Sequence, residues 1–143
     1  MRTRYFALIY GLGFLLLGIL GFVPNLLTPP VPGAPPMAVA SYYGNLFGLF
    51  PVNVLHNLIH IALGLWGLAA WRMFGAARGY ARGMTILCGV IAVFGLIPGL
   101  STLFGLVPFY SHDIWLHGLA AVIAAYFGWA TVPAAAPVAG ERR

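Results

Sequence analysis

Arg2-Thr3-Arg4 runs directly into YFALIYGLGFLLLGILGFV over residues 5–23. Two cations precede an apolar run long enough to cross the ~30 Å hydrocarbon core of a bilayer as one helix. The start resembles a secretory signal. The run, however, exceeds the ~7–15 residues of a signal core, and no small-x-small cleavage site follows, so it reads as a retained helix.

Working outward, no charged residue interrupts the chain from Tyr5 to Trp71. Of 143 residues, seven are basic and two acidic, while 62% are hydrophobic. A water-soluble domain devotes about a quarter of its residues to charge. Too little polar surface exists to coat a globule, and lipid must solvate much of the exterior. The net charge of +5 does not mark a nucleic-acid binder, because its arginines form no stripe and instead flank apolar runs. Cys88 is the single cysteine, which excludes an internal disulfide and any Cys-rich zinc motif. Inside an apolar run it reads as a packing residue.

Three more apolar runs follow, at about 52–74, 84–107 and 111–132. The expected fold is therefore an all-α, four-transmembrane-helix bundle occupying residues 1–132, with a flexible cytoplasmic tail over 133–143. The Pro-rich outer loop, 24–50, cannot be helical where Pro29, Pro30, Pro32, Pro35 and Pro36 crowd together. Its remainder is expected to lie along the interface or fold back over the bundle. Pro51 or Asn53 suits the start of the second span, and Ser111 the start of the fourth. Pro98 is expected to kink the third, where Gly95 and Gly99 would allow close backbone approach.

Arg2, Arg4, Arg72, Arg78, Arg82, Arg142 and Arg143 all fall at the termini or in the second-to-third connection. The positive-inside rule then puts both termini on the cytoplasmic side of a bacterial cytoplasmic membrane. Tyr42, Tyr43, Tyr110 and Trp115 would lie near the outer interface, Trp71 and Trp129 near the inner one, as an aromatic belt requires.

Phe47-Gly48-Leu49-Phe50-Pro51 matches Phe104-Gly105-Leu106-Val107-Pro108 at an offset of 57 residues. The same offset pairs His56 with Asp113 and His60 with His117. Both flanking spans run outside-to-inside, so the halves would be two parallel helix-pair repeats. Residues four apart share a helix face. His56/His60 and Asp113/His117 thus form two clusters at similar depth, and costly intramembrane polar groups face the bundle interior. His112 and Asn57 fall off these faces.

Three readings of that constellation stand side by side. His56, His60, Asp113 and His117 make a sufficient ligand set for zinc, copper, iron or manganese. Alternatively, the chain is a non-catalytic accessory subunit of a larger membrane complex in which His60 and His117 hold haem or a chlorophyll-type pigment, although the outer half offers no Arg or Lys for haem propionates. In the third reading the polar residues only hydrogen-bond between helices, at ~1 kcal/mol per contact. No Ser/His/Asp grouping, phosphate loop or intramembrane glutamate points to catalysis, and a small metal-dependent enzyme is the weakest reading. Gly11, Gly18, Gly64, Gly67, Ala7, Ala120 and Ala124 read as packing surfaces. Lipid is the expected surrounding, and Gly/Ala-rich faces are where a homo-oligomer or a larger membrane complex would form; no nucleic-acid partner is expected.

The segment from Phe47 through Asn53, the His56-Asn57-x-x-His60 element with Gly64 and Gly67, and Asp113-x-x-x-His117 together resemble the bacterial domain-of-unknown-function family 4383. The resemblance extends from Tyr5 to about Gly128. It implies a short four-span membrane protein with H-N-x-x-H in the second span and D-x-x-x-H in the fourth. It implies no chemistry, since that family has no established activity. His112 lies outside the pattern, and the long Pro-rich connection is an elaboration on it.

Overall fold

A computed structural model describes residues 2–131. The described residues form four α-helices: α1 (Arg2–Leu20), α2 (Val54–Ala70), α3 (Phe74–Gly95) and α4 (His112–Ala125), the last continuing as a π-helical turn over Tyr126–Ala130. α1, α3 and α4 with its continuation are long and apolar enough to cross a membrane. α2 is a shorter apolar helix of 17 residues, or ~25 Å at 1.5 Å per residue. Ile9, Leu16, Leu65, Ile86 and Val122 point outward, each at least half exposed, giving the helices an apolar exterior suited to lipid.

The fold departs from an all-α architecture in the loop between α1 and α2. There β1 (Leu27–Thr28), β2 (Gly44–Leu46) and β3 (Phe50–Val52) form a three-stranded antiparallel sheet in the order β1-β2-β3. β2 and β3 pair Gly44 with Val52 and Leu46 with Phe50. Strand pairing satisfies backbone groups that the prolines keep from helix formation.

The Phe-Gly-Leu lead-ins share one conformation. Phe47 and Phe104 have φ of 56° and 58°, and Gly48 and Gly105 have 74° and 86°. The Gly48 and Gly105 amides donate to the carbonyls of Asn45 and Thr102, which are also 57 residues apart. The Phe109 amide donates to Ser101 at 2.7 Å, the counterpart of the Gly44–Val52 pair. Glycine adopts positive φ without strain, which is why it ends each turn. A hairpin-like turn therefore leads into both α2 and α4, although the first sits in a sheet and the second does not.

The third helix is offset from the apolar run at 84–107. α3 begins at Phe74, not near residue 84, and ends at Gly95, not near 107. Arg78 and Arg82 lie within its first turns, not in a connection; charge does not break a helix, whose backbone bonds are internal in water and lipid alike. Pro98 does not kink α3, because it stands beyond the helix end, where a proline cannot continue the ladder. Leu96 through Val107 instead form turns, with a short 3₁₀ segment at Leu100–Thr102. α1 is displaced as well, starting at Arg2 and ending at Leu20, while α2 stops at Ala70. Ser111 stands before α4 with φ 61° and makes no capping bond. The 133–143 tail and Val132 of the fourth span lie outside the described residues.

α1 packs mainly on α2 and α3 mainly on α4, with α1 also meeting α3. The α1/α2 contact rests on glycine: a Cβ at Gly64 would stand 2.5 Å from the Leu15 nitrogen, and one at Gly11 2.9 Å from the Gly64 carbonyl. In lipid, such close approach is what van der Waals association requires. Phe6, Tyr80, Met84 and Cys88 fill the core at the end of the bundle that holds Arg4 and Arg82. There Arg4 lies over Trp71 and Arg82 over Trp129, at 5.9 and 5.2 Å. At the opposite end the loops meet through a 2.6 Å bond between the Tyr43 and Tyr110 hydroxyls.

Candidate metal centre

α2 carries His56 and His60 on one face, and α4 presents Asp113 and His117 to them. All four are buried, with residue exposures of 1 to 6%. Ring centroids stand 4.4 Å apart for His56 and His60, 6.0 Å for His56 and His117, and 6.1 Å for His60 and His117. Each histidine offers a ring nitrogen, and these three atoms lie within 4.8 Å of one another.

Local structure holds each ring differently. Asn53 caps α2, its side-chain oxygen accepting the His56 amide at 3.0 Å. Its amide group donates to the carbonyls of Val39 and Leu106, tying the loops before α2 and before α4 to this helix start. Asn53 thus fulfils the capping role that either it or Pro51 was expected to fill. The His56 ring meets the Pro51 carbonyl through Nδ1 at 3.2 Å. His117 Nδ1 meets the Asp113 carbonyl at 2.9 Å, one turn back on the same helix. A carbonyl can only accept, so both Nδ1 atoms carry the proton and both Nε2 atoms keep their lone pairs. A backbone carbonyl holding the second nitrogen is the support that metal-bound imidazoles characteristically have.

Four buried polar atoms of this group have no hydrogen-bond partner among the described residues: His56 Nε2, both nitrogens of His60, and Asp113 Oδ2. Asp113 Oδ2 stands 3.2 Å from His117 Nδ1 and 3.9 Å from His56 Nε2. The first separation is short, but the Nδ1 proton is directed to the Asp113 carbonyl, which leaves the carboxylate oxygen without a hydrogen bond. A buried polar group without a partner costs ~1–3 kcal/mol, and a charged one more. Such a concentration at one point requires explanation.

His56, His60 and His117 come together, with Asp113 against two of them. His112 is exposed and turned away, its Nδ1 accepting from the Trp115 indole at 3.0 Å. Asn57 serves α1, donating to the Gly21 carbonyl beyond its last turn at 2.7 Å. The aromatic walls escaped the sequence reading. Phe14 meets His60 edge-on at 5.1 Å, and Phe109 meets His56 at 5.8 Å. Neither has a local motif, because each arrives from a different part of the chain.

Two apolar clefts reach the cluster. One of about 290 Å³ opens between α1 and α4, walled by Tyr10, Gly13, Phe14, Leu116 and Ala120, and reaches His60 and His117. The other, of about 220 Å³, passes between α2 and α3 along Leu63, Cys88 and Ile91 and reaches all three histidines.

Comparison with curated proteins and with solved structures gives no match. A family model described as Domain of unknown function (DUF4383) matches residues 4–130, and the chain belongs to that family.

Proposed function

We propose that this chain is a small integral membrane protein of four spans whose buried cluster binds one divalent transition-metal ion. His56, His60 and His117 each supply one nitrogen, and Asp113 Oδ2 the fourth ligand. The observation carrying this reading is the set of partnerless atoms: four on His56, His60 and Asp113, beside three imidazole donors within 4.8 Å. Zinc–nitrogen bonds of ~2.0–2.1 Å in a tetrahedron separate donors by about 3.3 Å. Closing from 4.8 Å asks each ring to move by about an ångström, within the reach of small side-chain rotations. The carboxylate offsets part of the ion's charge, and the apolar surroundings strengthen what remains.

The interhelical hydrogen-bond reading is the weaker one. None of the three rings hydrogen-bonds to another helix among the described residues, and His60 makes no hydrogen bond at all. Haem between His60 and His117 is also disfavoured, since His56 crowds both rings where a macrocycle would have to enter.

Four spans, N- and C-termini inside, and a parallel pairing of α1/α2 with α3/α4 complete the proposal. Its support is the segregation of arginine and the shared turn conformation at the 57-residue offset. α2 spans because a helix of 17 residues lies at the lower limit for crossing a hydrocarbon core. Association with further copies or a larger membrane complex would use faces other than the Gly11/Gly64 contact, which α1 and α2 use on each other. Elemental analysis and a visible spectrum of the purified protein test the reading. One ion per chain without a Soret or pigment band supports it; less than a tenth of an ion per chain after metal supplementation overturns it.

A further inference from the structure

His60 has two ring nitrogens, and a metal takes only one. The other carries the proton of the neutral imidazole and has no acceptor among the described residues, although His60 is 6% exposed. His60 also lines the cleft between α1 and α4. Within that cleft the Tyr10 hydroxyl donates to the Ala120 carbonyl at 2.9 Å, and the His117 Nδ1 proton is held by Asp113. Among the described residues that line the cleft, His60 is therefore the one whose side-chain donor is uncommitted.

We propose that the α1/α4 cleft binds a membrane-dissolved quinone, whose carbonyl oxygen accepts the free N–H of His60. The chemistry narrows the ligand in three ways. The cleft carries no Arg or Lys, so a carboxylate or phosphate head would be buried without a countercharge. Its inner end is built of Tyr10, Phe14 and the two imidazoles, which receive a planar ring. Its outer walls, including Ile9, Leu119 and Ile123, are aliphatic and open toward the helix exterior, where an apolar tail can trail into lipid. A neutral ring with carbonyl acceptors and an apolar tail meets all three conditions. The inference rests on the metal reading for the statement that one His60 nitrogen is taken, and the test keeps the two apart.

Gly13 lines this cleft, and a Cβ added there meets nothing within 4 Å. Gly13→Leu should then fill the cleft without disturbing the bundle. The protein in phosphatidylcholine nanodiscs is photolabelled with an azido-substituted short-chain ubiquinone, with metal content measured on the same samples. Wild type should label in peptides containing Tyr10, Phe14 or Leu116. Decylubiquinone should displace the label at least about tenfold more effectively than decylbenzene or palmitate, as loss of one buried hydrogen bond or burial of a bare carboxylate implies. Gly13→Leu should lose about tenfold in labelling while keeping wild-type metal content and melting temperature. Equal labelling of Gly13→Leu, equal displacement by decylbenzene or palmitate, or labelling confined to other peptides overturns the quinone site. Wild type that labels as described but holds no metal overturns the metal reading alone.

Discussion

The rings of His60 and His117 lie 6.1 Å apart, centroid to centroid, although 57 residues separate them. Each sits one turn beyond a polar partner, His56 or Asp113, on a helix entered through the same Phe-Gly-Leu turn. The pairing brings three imidazoles together, with Asp113 against two of them.

That convergence makes the ligand set testable. Replacing His60 or His117 with Ala should lower metal affinity at least about a hundredfold, since even supporting residues around a metal are worth 10–100-fold. His112→Ala should leave it within about twofold, because that ring pairs with Trp115 instead. Competition titration against a chromophoric chelator measures all three; equal effects at His112 and His60 would sink the assignment.

Acid should release the ion. Each ligand must offer a lone pair, and protons compete for the same atoms. Apparent affinity should fall steadily as pH drops from 7.5 to 5, with metal retained on returning to pH 7.5 in its presence. Metal retention measured after desalting at each pH checks this, and a pH-independent content would speak against histidine ligation.

The α1/α2 contact yields a stability prediction independent of metal. Gly64→Leu forces a side chain against the α1 backbone at Leu15 and should cost about 1–3 kcal/mol, the usual penalty of overpacking. Gly79→Ala, where an added Cβ meets nothing within 4 Å, should leave stability unchanged or slightly raised. Thermal melts in detergent, with chelator throughout, separate the two.

Where the two loops meet, Tyr43 donates to the Pro35 carbonyl at 3.1 Å, so the 2.6 Å bond between the tyrosines uses the Tyr110 proton. Burial, and then that bond, push the Tyr110 pKa up from its ordinary value. A raised folded-state pKa contributes stability that is fully present below the unfolded value and lost as pH climbs toward the folded one. Tyr110→Phe should therefore be about 1 kcal/mol less stable than wild type at pH 8. The gap should close above pH ~10, where unfolded tyrosine ionises. A gap that persists or widens there would show that the hydroxyl's proton is not what matters.

Topology is open to chemical labelling. Single cysteines at positions 34 and 79, in a Cys88→Ser background, report on opposite ends of the bundle. An impermeant thiol reagent on intact cells should modify position 34 and spare position 79 until the membrane is opened. The reverse pattern would invert the proposed orientation.

Much of this molecule was legible locally. The sparse charge, the arginine segregation and the long apolar runs follow from composition, because a bilayer selects on side-chain transfer energy and little else. The i,i+4 spacing put His56 with His60 and Asp113 with His117, since helix periodicity fixes which residues share a face. Pro98 was misplaced for a related reason: hydropathy reports what lipid tolerates, and a run of apolar turn residues at Leu96, Ile97 and Leu100 looks the same as a helix.

Apolar, helical character and the two i,i+4 polar pairs were thus readable from the chain alone, all being properties of neighbours along it. Folding brings the two pairs together, leaves particular nitrogens without partners among the described residues, and closes the Pro-rich loop as a sheet through Leu27 and Leu46. Each of these depends on groups far apart in sequence, whose contact is set by helix packing and strand register rather than by any local preference. The Asp113 carbonyl holding His117, and Asn53 joining Val39 to Leu106, are of the same kind. Backbone carbonyls carry no residue signature, so a hydrogen bond to one becomes visible only when the chain has folded.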